Sequence, residues 1–283
     1  MSASVENYLA SYGLSGPRCA SLGVATAVTG DQVVFTNSNW SFSIAALKDA
    51  LALERCLVIN DFMALALSLP VLCGADVRQI GAGQSASDAP LALIGPGTGL
   101  GVSGLMPDGH GEHSAISGEG GHVTLAPTDE LESSVVAHLQ RHFGHASAER
   151  ALSGPGLVNV YAALCAIEGA PVAPLAPPDI TSRAIAGSDR LCQMAVRVFS
   201  SFLGNVAGNL ALTLGARGGL YIGGGIVPQM GSAFDAQLFR QKFEDKGRFA
   251  HYLQEIPSWL IVANAPALVG ASRALDVYKS DPR

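Results

Sequence analysis

The chain has 283 residues, of which 48% are hydrophobic, 14% are charged and 33 are glycine. This length supplies enough apolar surface for one large or two ordinary domains, so the composition predicts a globular protein. The net charge of -6, with only four lysines, leaves no basic stripe for nucleic acid and excludes that class of partner.

Cysteine spacing and the N-terminal residues bear on the compartment. The five cysteines are widely separated and form no Cys-x-x-Cys pair, so we predict free thiols in a reducing cytoplasm. The first residues lack the basic and apolar regions of a secretory signal. The uncharged stretch 199–216 contains Asn205 and Asn209, and we interpret it as a buried core helix. No membrane partner is therefore expected.

The first predicted elements are strands and a short helix. Two β-rich runs, 19–27 and 32–35, flank a Gly30-Asp31 turn and predict a hairpin. Ser43 is predicted to cap a helix that ends near Leu53. The alternation of strands and helices that follows predicts a parallel or mixed sheet with helices packed on it.

The apolar run 57–59 predicts a buried strand that ends at the polar pair Asn60-Asp61, before a helix from Phe62. Ligands collect at the carboxyl ends of strands in α/β sheets, which makes Asp61 a candidate site residue. The alternative is that Asp61 is the N-cap of the helix, and these residues alone favour that interpretation.

A glycine-rich turn follows the next buried strand. Residues 70–90 are rich in small and polar residues and predict a crossing between lobes. Strand 91–94 then runs into Gly97-Thr98-Gly99-Leu100-Gly101, and 102–106 returns as its partner, so the glycines form a hairpin turn that permits close backbone approach. The turn matches neither a dinucleotide fingerprint nor a Walker loop, but its amides could bind a phosphate.

Two acidic segments are candidates for binding hydroxyl groups. Glu119 and His122 are separated only by two glycines, a pattern that suits hydrogen bonding to neighbouring hydroxyls of a polyol. The alternative is a salt-bridged glutamate and a surface histidine. Glu149, beside Arg150, is either a ligand or an ordinary surface charge.

The remaining pattern predicts mostly helices. A strand at 123–125 and a loop at 169–178 are also predicted. The predicted helices start after Thr128, at Pro155, near 188, at 235, at 249 and at 267, and strands are predicted at 218–222 and 259–262. The first of those strands ends in Gly223-Gly224-Gly225, the second glycine turn after a buried strand.

Taken together, these segments resemble the bacterial glucokinase family from about Cys19 to about Ala271. The matching segments are 37–42, 59–62, 97–101, 118–122, 145–156, 223–228 and 243–249. The resemblance implies an α/β, two-lobed actin-like ATPase and sugar-kinase fold, which is ribonuclease H-like. It implies a small lobe of residues 1–71 plus 262–283 and a large lobe of residues 72–261.

The resemblance also implies the reaction and its residues. The expected activity is phosphorylation of D-glucose at the 6-hydroxyl by ATP with Mg²⁺, in a cytoplasmic homodimer, with glucose and ATP as partners. Asp61 would be the general base, and Asn37, Asn60, Glu119, His122 and Glu149 would hold the sugar. Gly97, Thr98, Gly99 and Gly101 would form a phosphate turn, and Gly223, Gly224 and Gly225 would lie at the adenosine. No side chain is assigned as a metal ligand. The histidine-and-cysteine zinc cluster of the related repressor and sugar-kinase group is absent, which favours the plain glucokinase branch.

The chain departs from the family at its start. The family opens with a strand and an Asp-x-Gly-Gly-Thr phosphate turn that this sequence lacks, so N-terminal strands of the small lobe are expected to be missing. Either the start was assigned too late, or the chain is a truncated relative. The expectation for the chain as written is weak or absent turnover with some sugar binding. The alternative function is a non-catalytic sugar-binding or regulatory protein.

Overall fold

The structure is a computed structural model that describes residues 2–13, 16–35 and 39–278. The strands, in chain order, are β1 (Cys19–Val24), β2 (Gln32–Val34), β3 (Ser41–Ser43), β4 (Arg55–Asn60), β5 (Val77–Ile80), β6 (Leu91–Pro96), β7 (Leu100–Pro107), β8 (His113–Ser117), β9 (Gly219–Ile222) and β10 (Ser258–Ile261). The helices are α1 (Ser2–Ser11), α2 (Ile44–Ala50), α3 (Asp61–Ser68), α4 (Glu130–Phe143), α5 (Gly154–Ile167), α6 (Pro177–Ala186), α7 (Arg190–Leu214), α8 (Ile226–Met230), α9 (Ala236–Glu244), α10 (Ala250–Gln254) and α11 (Pro266–Val277).

The chain divides into two compact units. Unit 1 contains Met1–Leu72, Pro107–Ser117 and Asn264–Arg283, and unit 2 contains Cys73–Met106 and Gly118–Ala263. Unit 1 is therefore assembled from three separate chain segments. The segment Pro107–Ser117, which the sequence pattern gave no reason to separate from its neighbours, lies in unit 1.

Unit 1 is built on a parallel strand pair that the sequence pattern did not predict. β1 pairs in parallel with β4, with Cys19 opposite Arg55, whereas β2 pairs in antiparallel fashion with β3. The predicted hairpin between residues 19–27 and 32–35 is therefore wrong. A parallel pair needs a long crossover, and residues 25–54 supply it through β2, β3 and α2.

Helices α3 and α11 pack closely together in unit 1. The backbone of Gly270 on α11 lies so near α3 that an added Cβ would come within 3.0 Å of the Ala64 carbonyl oxygen. The Arg273 Nε donates to the Leu67 carbonyl at 3.0 Å. On the strand side of the unit, the Arg55 Nη1 donates to the Leu275 carbonyl at 2.6 Å. Strand β4 and helix α3 are thus both held by the last described helix.

Unit 2 is built on a mixed sheet with helices around it. Its strands follow the order β5, β10, β9, β6, β7, in which β10, β9 and β6 are parallel and β5 and β7 are antiparallel to their neighbours. The predicted hairpin of residues 91–106 is confirmed, with Pro96 opposite Leu100. Strand β6 is buried almost throughout, as expected of a strand with helices on both faces.

The long helix α7 forms much of the core of unit 2. Asp189 caps its N-terminus, and Gly215 ends it in the left-handed conformation. Phe199, Phe202 and Leu203 are fully buried, which confirms the interpretation of residues 199–216 as a core helix. Across the described residues, no helix is both long and apolar enough to cross a membrane.

Several elements differ from the sequence pattern. Residues 123–125 form no strand, and Thr124 makes only an isolated bridge with Ser147. Helix α6 begins inside the predicted loop 169–178, because two prolines at its first positions suit a helix N-terminus. Strand β5 lies inside the predicted crossing 70–90, where Arg78 and Gln79 at its centre leave no apolar run that would predict a strand.

Candidate functional site

The polar pair at the end of β4 lies at the N-terminus of α3 in unit 1. The Asn60 Oδ1 accepts hydrogen bonds from the amides of Phe62 at 2.9 Å and Met63 at 3.2 Å. Asn60 is therefore the N-cap, and the interpretation of Asp61 as the cap is wrong. Asp61 is the first residue of the helix, is half-buried, and accepts the Phe62 amide at 2.8 Å through Oδ1.

This position favours a negatively charged side chain. The N-terminus of a helix stabilises negative charge because the backbone dipoles point their positive ends there. Strand β1 passes beside the start of α3, where a Cβ added to Gly23 would make ordinary contacts with the Ala64 Cβ at 3.5 Å and the Asp61 Cα at 3.7 Å. The Asn60 Nδ2 lies 3.5 Å from the Thr26 carbonyl. The predicted sugar ligand Asn37 lies outside the described residues.

In unit 2 the first glycine turn joins β6 to β7. The Gly97 amide donates to the Gly99 carbonyl at 2.8 Å, and Thr98 is exposed at the tip. Gly101 lies within β7, paired with Gly95, and so belongs to the strand rather than to the turn. The turn proper is therefore Gly97 to Gly99.

The Glu149 carboxylate contacts this turn. Its Oε2 accepts the Leu100 amide at 2.9 Å. A Cβ added to Gly99 would lie 2.5 Å from the same oxygen, so only glycine at position 99 leaves room for it. Glu149 is half-buried on a short 3-10 helix, Ala148–Arg150. The close approach that the glycines were predicted to permit is thus, at Gly99, an approach by Glu149.

Glu119 and His122 lie on a turn that packs against the start of β7. Both side chains are exposed, and the His122 amide donates to the Glu119 carbonyl at 3.0 Å. A Cβ on Gly121 would come within 3.0 Å of the Leu100 carbonyl. Gly121 therefore lets this turn pack against Leu100, the residue whose amide donates to Glu149.

The second glycine turn ends β9, the parallel neighbour of β6. The Gly223 amide donates to the Ile94 carbonyl at 2.8 Å, which continues the pairing of the two strands. Gly224 has a φ of 75°, and a Cβ there would come within 3.0 Å of the Pro96 carbonyl, so this position requires glycine. The two glycine turns therefore lie side by side at the carboxyl ends of adjacent parallel strands.

This pair of turns fits the phosphates of a nucleotide. Gly224 and Gly225 are exposed, and Gly225 precedes α8 without a side-chain cap. Backbone amides at such turns, free of side-chain bulk, bind anionic oxygens. A Cβ on Gly154, at the start of α5, would contact the Gly97 carbonyl oxygen, Pro177 and Ile226 at 3.7 to 3.8 Å, so apolar side chains border the turn.

The described part of the chain contains no cluster of side chains that could bind a metal ion. No three His, Cys, Asp or Glu side chains in residues 2–13, 16–35 and 39–278 come together in a way that could hold one. Mg²⁺ commonly binds through substrate phosphates and one or two carboxylates and keeps several waters. A dedicated protein site is therefore not a requirement for Mg²⁺ that arrives with a nucleotide.

Sequence reasoning missed two groups in unit 2. The Leu100 amide holds Glu149 from 49 residues away, and nothing local in the sequence signals that contact. The Ser153 Oγ donates to the Glu149 carbonyl and accepts the Gly156 amide, both at 2.9 Å, and neither contact was predicted. The motif Ser153-Gly154-Pro155-Gly156 was the available signal for the second group.

Comparison with known proteins identifies the fold. The chain matches a crystal structure of a glucokinase from an Antarctic psychrotroph with a TM-score of 0.88 and 34% identity, covering 99% of this chain and 86% of that one. It matches a ROK family glucokinase from Streptomyces griseus with a TM-score of 0.63 and 20% identity, covering 99% and 88%. The fold is that of the actin-like α/β sugar kinases.

The sequence comparisons narrow this to one family. A sequence profile described as Glucokinase matches residues 1–277. The glucokinase of Aromatoleum aromaticum is 54% identical over 264 residues, which are 93% of this chain and 80% of that protein. The chain belongs to the glucokinase family.

Proposed function

We propose that this protein transfers the γ-phosphoryl group of ATP to the 6-hydroxyl of D-glucose. Membership of the glucokinase family is the observation that carries this proposal. We assign two sets of groups to this reaction: the glycine turns at the ends of β6 and β9, and the carboxylates of Asp61, Glu119 and Glu149. A structural neighbour from Streptomyces griseus is a glucokinase solved with glucose and AMPPNP.

Asp61 is proposed as the general base. Phosphoryl transfer passes through a loose transition state, so the protein's work is to position the reactants, to stabilise charge and to accept one proton. The Asp61 carboxylate would take the proton of the 6-hydroxyl as its oxygen attacks phosphorus. Asp61 is the first residue of α3, where the helix dipole favours negative charge.

The other polar groups are proposed to hold the sugar hydroxyls. The Asn60 Oδ1 already accepts two amides, so Asn60 would act on the sugar through its Nδ2 donor. Glu149 uses Oε2 for the Leu100 amide and would accept a hydroxyl through Oε1. Glu119 and His122, both exposed, would hold further hydroxyls, and Asn37 is assigned to the same task. A sugar that lacks one hydroxyl would leave a carboxylate unpaired, which is the basis of selectivity.

The nucleotide is proposed to bind the two glycine turns. Gly97, Thr98, Gly99 and Gly101 are assigned to its phosphates, and Gly223, Gly224 and Gly225 to its adenosine. ATP, bound with Mg²⁺, supplies the phosphoryl group and neutralises part of its charge. A side chain at position 224 would clash with the Pro96 carbonyl, and one at position 99 would clash with the Glu149 carboxylate, so both turns need glycine at these positions.

The test of the general base is Asp61→Asn, which keeps the size of the side chain and its ability to accept the Phe62 amide. We expect kcat to fall roughly 10²- to 10⁴-fold, the usual contribution of general base catalysis, while glucose affinity changes little. Coupled assays with ATP, magnesium and glucose measure kcat, and calorimetry measures affinity.

The matched control is Asp49→Asn, which removes an exposed carboxylate from the end of α2 in the same unit. Normal turnover of Asp61→Asn beside a normal control would refute the role of Asp61. Calorimetry also tests the alternative function: heat on adding glucose, with no heat on adding an ATP analogue, would identify a non-catalytic sugar-binding protein.

We further propose a cytoplasmic homodimer. Among the described residues no cysteine forms a disulfide, and Cys165 and Cys192 are buried, which supports the assignment to a reducing compartment. Sedimentation velocity across a hundredfold range of protein concentration measures the assembly state. A single monomeric species at the highest concentration would contradict the dimer.

A further inference from the structure

The contact between Glu149 and the first glycine turn joins two functions that the proposed mechanism assigns to separate residues. Glu149 is assigned to the sugar and Gly97 to Gly99 to the nucleotide phosphates. The Leu100 amide, directly after the turn, donates to the Glu149 Oε2 at 2.9 Å. The geometry of the turn therefore determines where this carboxylate lies.

The space for that contact exists only because residue 99 has no side chain. A Cβ on Gly99 would lie 2.5 Å from the Glu149 Oε2 and 3.4 Å from its Cδ. Neither Gly97 nor Gly99 has a positive φ, so alanine suits the backbone at both positions. At Gly97 the nearest atom to an added Cβ, the Gly99 carbonyl oxygen, is 4.0 Å away. An added methyl group would therefore clash with Glu149 at position 99 but not at position 97.

The backbone of Glu149 cannot easily move to relieve such a clash. Its carbonyl accepts the Ser153 Oγ at 2.9 Å, and the preceding residue, Ala148, is fully buried and donates its amide to the Val123 carbonyl at 2.9 Å. A Cβ on Gly156 would lie 2.9 Å from the Glu149 carbonyl oxygen, so α5 also packs directly on this segment.

The same segment is tied back to the turn. The Gly154 amide donates to the Gly97 carbonyl at 2.9 Å. A closed ring of contacts therefore runs from the turn through Leu100 and Glu149 to Ser153, and returns through Gly154 to Gly97. A side chain at position 99 must displace the Glu149 carboxylate, because the main chain on both sides is fixed.

We propose that Gly99 is a positioning residue for the sugar, acting through Glu149, although it lies in the turn assigned to the nucleotide. The proposal rests on the assignment of Glu149 as a sugar ligand. It predicts that a single methyl group at position 99 weakens glucose binding when no nucleotide is present. A residue that served only the phosphates would have no such effect.

The experiment measures glucose affinity by calorimetry without nucleotide for the wild type, Gly99→Ala, Gly97→Ala and Glu149→Ala. We expect Gly99→Ala and Glu149→Ala to weaken glucose binding by a similar factor, roughly 10- to 150-fold, which is the range for one hydrogen bond to a charged group. Gly97→Ala should bind glucose within about twofold of the wild type, because its methyl group meets open space.

The double variant Gly99→Ala with Glu149→Ala completes the cycle. Removing the carboxylate removes the clash, so Gly99→Ala should cause no further loss of glucose affinity in that background. Thermal unfolding of each variant checks the fold. If Gly99→Ala alone does not fold, recovery of folding in the double variant supports the same clash, and unfolding in both backgrounds overturns the proposal.

The outcomes separate this inference from the proposed function. Weak glucose binding by Glu149→Ala with normal binding by Gly99→Ala would overturn the positioning role and leave the sugar-ligand assignment intact. Normal glucose binding by Glu149→Ala would overturn both. An equal loss from Gly99→Ala with and without Glu149 would overturn the inference, because the turn would then act on the sugar by another route.

Discussion

Of the two adjacent polar residues at the start of α3, only the first caps the helix. The amide side chain of Asn60 satisfies the first free amides of the helix, at Phe62 and Met63. Asp61 then follows as the first helical residue. Because the cap does not depend on the carboxylate, Asp61 can be replaced without losing the helix start.

Replacement of Asn60 should therefore destabilise the protein more than replacement of Asp61. We expect Asn60→Ala to lower the free energy of unfolding by about 1 kcal/mol through loss of the cap. Asn60→Asp keeps the cap acceptor and should recover that stability, but not glucose affinity, because the Nδ2 donor is lost. Urea unfolding and calorimetry measure the two effects. Equal stability of Asn60→Ala and the wild type would contradict the assignment of the cap.

A buried thiol makes stability depend on pH. Burial, together with a hydrogen bond to Asp189, raises the pKa of the Cys192 thiol to about 12. In the unfolded chain a thiol has a pKa of about 8.5. Between these values the folded state holds the proton that the unfolded state has lost, so stability is complete below pH 8.5 and falls as pH rises toward 12.

The variant Cys192→Ser, whose hydroxyl does not ionise in this range, tests that dependence. Its free energy of unfolding should fall less steeply above pH 8.5, so the difference from the wild type changes by up to about 1.4 kcal/mol per pH unit. Urea unfolding at several pH values under reducing conditions measures this. Parallel pH profiles for the two proteins would refute the prediction.

The sequence predicted the residue types of the site better than their partners. The residue pattern made Asp61, Glu119, His122 and Glu149 candidates. The resemblance to the glucokinase family assigned them and Asn60 to the sugar, and this assignment stays a prediction. Their hydrogen-bond partners could not be named, because the Leu100 amide and Glu149 come together only through the folding of unit 2. The capping role was assigned to the wrong member of a pair because both side chains can serve.

Among the elements, α7 and α9 make a closely packed helix pair in unit 2. Gly204 and Gly208 lie one turn apart on α7 and face the α9 backbone. A Cβ on Gly204 would come within 3.0 Å of the Phe239 carbonyl, and one on Gly208 would lie 2.5 Å from the Phe243 carbonyl. The absence of side chains at these positions sets the distance between the two helices.

Substitution at Gly204 should reverse the usual effect of alanine in a helix. Alanine is normally favoured over glycine by about 1 kcal/mol in a helix interior. Here we expect Gly204→Ala to destabilise the protein by about 1 to 3 kcal/mol, because the helices must separate. The control is Asn209→Ala, at an exposed position of the same helix, which should not destabilise. A higher Tm for Gly204→Ala would contradict the close packing.

Helices and strands were predicted correctly where neighbouring residues in the chain carried the pattern. Helices α5, α7 and α11 and the hairpin of β6 and β7 have periodic or continuous apolar patterns, and the structure confirms them. The pairing of β1 with β4 was missed because the strands are joined through a crossover that contains another strand pair. Proline at the start of α6 was read as a loop signal, although it also starts helices.

At the scale of the whole molecule, sugar binding should be visible as stability. A ligand that binds only the folded state raises the free energy of unfolding by about 2.7 kcal/mol at a hundred times its Kd. We therefore expect glucose without nucleotide to raise the Tm by several degrees. Mannitol at the same concentration controls for solvent effects. An unchanged Tm at saturating glucose would contradict sugar binding by the folded chain.

The order in which the ribosome releases the chain has a consequence for helix α3. Its apolar side chains are buried partly by α11, and the contact between Leu67 and Arg273 spans 206 residues. At about 5 to 20 residues per second, this interval lasts roughly 10 to 40 s. Unit 2 emerges during this interval and can begin to fold, whereas the apolar face of α3 has no α11 to cover it. The nascent protein therefore offers a chaperone a defined target until α11 has been translated.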